Sequence, residues 1–451
     1  MPDILIRDGA VLTPEGWLDP GYVWISGETI RTVGPTSELQ EWQSADGRSQ
    51  MAHGKWQMAM QNSQIIHAPH MAILPGLVNG HTHFSQTFMR GLAGGRPLLP
   101  WLREEIWPLQ AAMSVEELRL AALLGLVENL RCGNTRVVNH HKVATTRAHT
   151  DAVCQSALEI GLHVTLARSW ADRGAKAEAP EAIVADLERL FQQWHGSARS
   201  PITIANGPLV PWRCSAQTLQ VTHDLARRYG SFTHIHISET REEVQMTVEE
   251  TGLRPVRWLH TLGLLGADSQ IVHAVWVEDD ELDLLAARAA PVVFCPVANA
   301  VLGSGVAPVV KMLRRGIDVR LGSDGPASND TQDLFEGVKL AISLARTATL
   351  DPTALSPTQV LRLATGGRTL APGEPADVIL VDLNTPRHQP VHDIDSALAL
   401  CTHGSDVDTV IVAGRLLMRG KRVLVLDEVA LLAECRAAVS GLRRRALLGK
   451  L

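Results

Sequence analysis

Two histidines one residue apart, His81-Thr82-His83, close the apolar run Ile73-Leu74-Pro75-Gly76-Leu77-Val78. Alternate side chains of a strand share a face, so the two imidazoles project the same way and make half of a zinc or iron site. An isolated H-x-H is more often a polar end to a buried strand. The rest of the chain reverses that reading, because matching side chains stand at the ends of later strand-like runs. These are His140 and His141, then His234, His236 and Glu239, then His273 and Asp324. Three imidazoles and one carboxylate suit a catalytic Zn²⁺ or Fe²⁺ with a position left open for water. Glu239, three residues beyond His236, stands where it could exchange protons with that water.

Such residues need a scaffold that gathers strand ends. From Ala72 onward strand-like runs (72–83, 134–141, 163–170, 202–211, 233–239, 270–275, 291–299 and 317–325) alternate with helix-like ones. Ser114 with Glu117 predicts a capping box, opening a helix that Gly133 ends. Comparable helices are expected over 147–161, 180–195, 215–229, 254–265, 278–290, 306–316 and 331–347. Eight strand–helix units in a row predict an α/β fold, a parallel (β/α)₈ TIM-like barrel over 72–370 with its chemistry at the C-terminal strand ends. No glycine fingerprint for a dinucleotide or a P-loop follows the first strand.

The flanks read differently. Residues 3–34 form short strand-like runs (ILIRDG, VLTPEG, YVWISGETIRTVG), and hairpin-like runs return after about Leu370. Residues 1–71 and 371–451 are therefore expected to share a small β-sandwich domain, closed by the helical run DEVALLAECRAAVSGLRRRALL. Between Leu39 and His70 neither strand nor helix period holds, so about 40–70 reads as a long loop or insertion. His53, His67 and His70, in or just after it, read as solvated rather than as ligands.

The totals fit a globular enzyme. Of 451 residues 45% are hydrophobic and 20% charged, and the net charge of −6 gives no reason to expect nucleic acid or an anionic membrane as partner. Six cysteines without a C-x-x-C pair argue against a cysteine-based zinc knuckle or a disulfide framework. No basic-then-apolar leader opens the chain and no apolar run reaches roughly 18 residues, so a cytoplasmic location is expected.

The chain resembles the amidohydrolase superfamily, and within it the branch of methylthioadenosine/S-adenosylhomocysteine deaminase, guanine and 8-oxoguanine deaminases and triazine hydrolases. The resemblance is carried by LPGLVNGHTH (74–83), WLREEIWPLQ (101–110), HISE (236–239), VHA (272–274), ANAVLGSGVAP (298–308), GSDGPASND (322–330) and PADVILVDL (375–383). It implies His81, His83, His236 and Asp324 as ligands of one metal per chain, Zn²⁺ with Fe²⁺ as the alternative. It also implies Glu239 as proton shuttle and His273 as a hydrogen-bond partner of the reacting group, with Asp324 able to accept a proton. His234 shares a face with His236, but the family pattern puts the ligand three residues before the glutamate. The implied reaction is hydrolytic deamination of an amino-substituted N-heterocycle, expected to be a purine-like base, by an enzyme expected to be a homo-oligomer. The alternatives are a triazine chloro- or aminohydrolase, a nucleoside deaminase of the methylthioadenosine type and, remotely, a metal-free binding protein. The P-C-x-x-C half of the cytidine deaminase signature does not occur.

Two departures bear on substrate size. Nucleoside deaminases of this branch carry WPLE and G-P-H, where this chain has Trp107-Pro108-Leu109-Gln110 and Gly207-Pro208-Leu209. Both changes remove polar groups that would hold a ribose. Gln86, three beyond His83, matches the base-binding glutamine of the guanine enzymes. The expected substrate contacts are Gln86, Trp101, Gln110, His140, His141, Leu209 and Ser328, with Leu98, Leu99 and Trp101 forming an apolar lid.

Overall fold

The computed structural model describes residues 2–39, 63–143, 146–174, 176–196 and 200–448. Most of the 40–70 stretch, His53 included, lies outside the described residues. The chain begins with β1 (Ile4–Thr13), β2 (Gly16–Ser26) and β3 (Thr29–Pro35), an antiparallel meander, followed by β4 (Gln64–His67) and β5 (Met71–Pro75). The barrel strands are β6 (Leu77–Thr82), β7 (Asn134–His141), β8 (His163–Trp170), β9 (Ile202–Pro208), β10 (Thr233–Ile237), β11 (Ser269–His273), β12 (Val292–Phe294) and β13 (Val319–Leu321). They pair in sequence order, all parallel, into a nearly closed barrel. The chain then returns to the first sheet with β14 (Val378–Asp382), β15 (Val407–Val412), β16 (Arg415–Arg419) and β17 (Arg422–Val423). Both chain ends thus share one nine-stranded mixed sheet.

Period-2 patterning explains how that sheet packs. Ile4, Ile6, Val23 and Ile25 bury into one cluster with Ile73, Val378 and Ile411, while Leu5, Tyr22 and Trp24 bury on the opposite face against Leu39. The long helix Glu428–Leu448 lies antiparallel to helix Val115–Arg131: Glu428 pairs with Arg131 at 2.9 Å at one end, and Arg445 pairs with Glu117 at the other. Among the described residues no helix is long and apolar enough to cross a membrane.

Several local expectations need correction. The run 72–83 is two strands in two sheets, since Pro75-Gly76 breaks it and Met71–Pro75 pairs with β14. The runs ILIRDG and VLT are one strand whose register shifts near Asp8, where φ is 74°. Gln64–His67, read as loop, pairs in parallel with β1. Helix Arg241–Thr251 was not expected; it ends at Gly252 in the left-handed conformation, and Pro255 opens the separate, shorter helix Pro255–Thr261. Helix Pro296–Val301 replaces the second half of the expected strand 291–299. His67 and His70 are exposed, in keeping with their reading as solvated.

The helix Val115–Arg131 starts where its predicted cap lies. Ser114 and Glu117 exchange both capping-box hydrogen bonds, an arrangement in which the cap alone contributes about 1 kcal/mol. The barrel seam places the first and last strands side by side at the site. Asp324 N–H donates to His81 O at 2.9 Å, and a Cβ on Gly80 would stand 2.9 Å from Leu321 O, so only glycine permits this approach.

Candidate metal centre and substrate cavity

Strand register sets the first half of the site. His81, inside β6, and His83, just past its end, both turn into the barrel, with ring centroids 4.7 Å apart. His83 Nδ1 faces His140 O at 2.8 Å, leaving Nε2 toward the centre, 3.1 Å from Asp324 Oδ1. His81 Nε2 lies 3.2 Å from the same oxygen. On β10, His236 Nδ1 faces Leu209 O at 3.0 Å, so its Nε2 also points inward, and its ring lies 4.8 Å from that of His81.

His234 plays a different part. Its Nδ1 is 2.6 Å from Gln270 Oε1 and its Nε2 is 2.7 Å from His81 Nδ1. Because the glutamine oxygen can only accept, His234 carries its proton on Nδ1 and accepts at Nε2. His81 therefore donates from Nδ1 and keeps a lone pair on Nε2. Supports of this kind fix the tautomer and the orientation of a metal-binding histidine.

Glu239, His273 and Asp324 arrive where the chain turns sharply out of strands. Ser238, His273, Ala274 and Asp324 all take positive φ, at 54°, 72°, 48° and 61°. Non-glycine residues there cost of order 1–3 kcal/mol each and persist where the surroundings impose them. Ser304 donates to Glu239 Oε1 at 3.3 Å, while Oε2 faces His273 Nε2 at 3.5 Å. Ser328 donates to Asp324 Oδ2 at 2.7 Å, leaving Oδ1 to face the histidines.

The electrostatics suit a cation. Burial lowers His81, His83, His140, His236 and His273 below the ordinary imidazole range, favouring the neutral rings that coordinate metals. Burial alone would raise Asp324, but the close approach of the His81 and His83 rings, at 3.2 and 3.1 Å, holds it well below the usual carboxylate range. Burial, then the charge of Asp324, pushes Glu239 up to about 8. Inside this cluster His81 Nε2 and Asp324 Oδ1 are fully buried and neither is in a hydrogen bond, although they face one another. Orphaned buried polar atoms are rare in folded proteins, and these two belong to a group of His81, His83 and Asp324 whose ligand atoms lie within 4.8 Å of one another, overlapped by groups of His81, His236 and His273 and of His83, His140 and His236. The residues present fit a divalent metal.

Above the cluster opens a small, partly open cavity. Leu98, Leu99 and Trp101 form one apolar wall, as the sequence predicted for a lid, and Leu209 and Ser328 also line it. Gln86 reaches the floor with Oε1 unpaired, and a Cβ on Gly325 would stand only 1.8 Å from that oxygen. Three expected contacts do not reach the cavity wall. Gln110 is buried and donates to Ser85 Oγ at 3.0 Å. His140 turns inward among the ligand rings, its Nε2 3.1 Å from Gly207 O. His141, one residue on, turns to the other face, where Thr150 Oγ1 lies 3.3 Å from its Nε2 and burial lowers it to about 3.

Sequence reasoning missed Lys142, Glu243, Arg213, Trp107 and Trp212, all of which line the cavity. Two carried a readable signal. Lys142 stands two residues after His140, and Glu243 one helical turn beyond Glu239.

The amidohydrolase family model matches residues 72–417. The chain is 33% identical over 449 residues to a 5-methylthioadenosine/S-adenosylhomocysteine deaminase of Pelotomaculum thermopropionicum, covering 97% of this chain and 98% of that one. Among solved structures, it is similar to an adenosine deaminase from Xanthomonas campestris with bound zinc, with a TM-score of 0.87, 29% identity and coverage of 98% and 99% of the two chains. It is also similar to a triazine hydrolase from Arthobacter aurescens, with a TM-score of 0.86, 25% identity and coverage of 97% and 100%.

Proposed function

The chain belongs to the amidohydrolase family, and from that premise we propose that it deaminates a compact amino-substituted N-heterocycle at a single zinc ion. The reading is supported by one observation: His81, His83 and Asp324 form one buried group of ligand atoms, and His236 shares overlapping groups with His81 and with His83, beside Glu239 and His273 in the cavity. His81, His83, His236 and Asp324 would hold the metal, which when bound lowers the pKa of water toward ~7 and so supplies a nucleophile at neutral pH.

The protein's own groups do the rest. Asp324, fixed by Ser328 at Oδ2, accepts a proton from the attacking water at Oδ1. Glu239, kept protonated by burial, donates to the ring nitrogen beside the carbon that bears the amino group and takes back the hydroxyl proton of the tetrahedral adduct, while the proton held by Asp324 goes to the departing amine. His273 Nε2, buried without a hydrogen bond, is aimed to hold the reacting substituent. Gln86 offers a donor and an acceptor to the ring edge, and Leu98, Leu99 and Trp101 exclude bulk water. Products are the oxo-heterocycle and ammonia.

A free base is favoured over its nucleoside because Leu209 presents no polar side chain and Gln110 is engaged by Ser85. A methylthioadenosine-type nucleoside is the second reading, supported by the activity for which the relative is named. Ammonia release from a panel of aminopurines, pterins, triazines and their nucleosides tests the proposal. Release from none of the amino-heterocycles would overturn it.

A further inference from the structure

One fully buried imidazole among the ligand rings has no task in the deamination described above. His140 stands next to last in β7 at 0% exposure, and its Nδ1 has no hydrogen-bond partner among the described residues. Its Nε2 lies 3.1 Å from Gly207 O. A main-chain carbonyl only accepts, so Nε2 carries the proton and donates, and Nδ1 is left with a bare lone pair. A buried acceptor without a donor is costly, and an unseen ion is one of the few things that accounts for it.

The main chain seats His140 as it seats the rings beside it. His83 gives Nδ1 to His140 O at 2.8 Å, and His236 gives Nδ1 to Leu209 O at 3.0 Å. Gly207 and Leu209, two residues apart where β9 ends, thus hold His140 and His236 alike, each with one nitrogen on a carbonyl and the other free. Fixing one nitrogen in this way is how metal-binding histidines are oriented. The rings of His83 and His236 stack at 12° with centroids 5.4 Å apart. His140 stands edge-on to both, 5.4 Å from His83 and 4.6 Å from His236. The ligand atoms of these three histidines lie within 4.8 Å of one another. His141 is the contrast, turned to the other face with Thr150 Oγ1 3.3 Å from its Nε2.

We propose that His140 is a further protein ligand of the metal, binding through Nδ1, so that the ion meets four imidazoles and one carboxylate. The inference rests on the reading of His81, His83, His236 and Asp324 as a metal centre and adds a ligand from β7 to it. Five protein donors leave at most one place in an octahedral set. A donor set this rich in imidazole suits zinc and its late neighbours better than Mn²⁺ or Mg²⁺.

The test uses the zinc-loaded protein, with X-ray absorption to count imidazoles and chelator competition to measure affinity. The wild type should show four imidazoles and His140→Ala three. His140→Ala should bind Zn²⁺ more than about 100-fold more weakly, beyond the loss expected for removing a ligand's hydrogen-bond partner. His141→Ala should bind it as the wild type does. The melting temperature of the stripped protein should change little in His140→Ala, while its rise on adding Zn²⁺ shrinks, which a merely structural role would not produce. Three imidazoles in the wild type, or a smaller loss of affinity in His140→Ala, overturns the inference. Should His140→Ala fail to fold, the wild-type count decides, and His140→Leu repeats the affinity measurement with the space filled. Four imidazoles in a protein that deaminates none of the heterocycles would sink the deaminase reading and leave this inference standing; ammonia release with three would do the reverse.

Discussion

His81 Nδ1 and His234 Nε2 lie 2.7 Å apart, and this contact, extended to Gln270 Oε1 at 2.6 Å, sets which nitrogen of His81 faces Asp324. On the proposed reading, of the two histidines on β10 His236 would hold the metal and His234 would support the ligand His81. His236→Ala should lose the metal outright. His234→Ala and Gln270→Leu should retain it, with affinity reduced about 10- to 100-fold, the usual cost of removing a ligand's hydrogen-bond partner. Metal titrations of the three variants check this. An empty site in His234→Ala beside a filled one in His236→Ala would reverse the assignment.

Glu239 contacts Ser304 and His273 and is no part of the three overlapping ligand groups at this site. Glu239→Gln should keep its metal while kcat falls by about 10²- to 10⁴-fold and KM changes far less. Steady-state kinetics alongside metal analysis of the same preparation separates the two effects. Metal loss in this variant would move Glu239 into the ligand set.

How much of this was legible in advance follows from which residues depend on strand register alone. Period 2 is enough to send His81, His83 and His236 inward, and the family motifs supply Asp324 and Glu239. The same register rule sends His140 inward and His141 outward, and it would have singled out Lys142 had it been applied one step further. Gln110 was counted among the substrate contacts because it stands at the glutamate position of the WPLE motif, whereas its partner, Ser85, is brought to it only by tertiary packing. The two sheets of run 72–83 were hidden for a similar reason. Both halves are apolar, and only pairing reveals that Ile73 and Val78 belong to different sheets.

Gly325 presses against Gln86, and a methyl group there would displace the amide from the floor of the cavity. Gly325→Ala should raise KM about tenfold, in line with loss of a buried substrate hydrogen bond. Metal content should be unaffected. An unchanged KM would show that Gln86 does not touch the ring.

Asp377 ties the N-terminal end of the barrel to the terminal sheet. Its carboxylate meets Arg136 at 2.7 Å, His163 at 3.2 Å, Arg368 at 3.3 Å and Ala413 N–H at 2.9 Å. Burial alone would raise its pKa, but His163, then Arg136 and the Ala413 amide, hold it well below the usual carboxylate range. A depressed folded-state pKa contributes stability that is complete above the unfolded value near ~3.9 and is lost as pH falls through that value toward the folded one. Thermal unfolding from pH 7 down to pH 3 should therefore show an acid-dependent loss in the wild type that is smaller in Asp377→Ala. That variant should already be less stable by about 3–5 kcal/mol at neutral pH. Identical acid dependence in both proteins would remove Asp377 from the account of stability.

On the proposed reading one metal per chain, held by His81, His83, His236 and Asp324, is required for deamination. The most direct test of that reading is to strip the protein with a chelator and follow ammonia release while Zn²⁺ is added back. The stripped protein should show no activity, and activity should then rise linearly and level off at one equivalent per chain. Full ammonia release from protein shown by elemental analysis to be metal-free would contradict it.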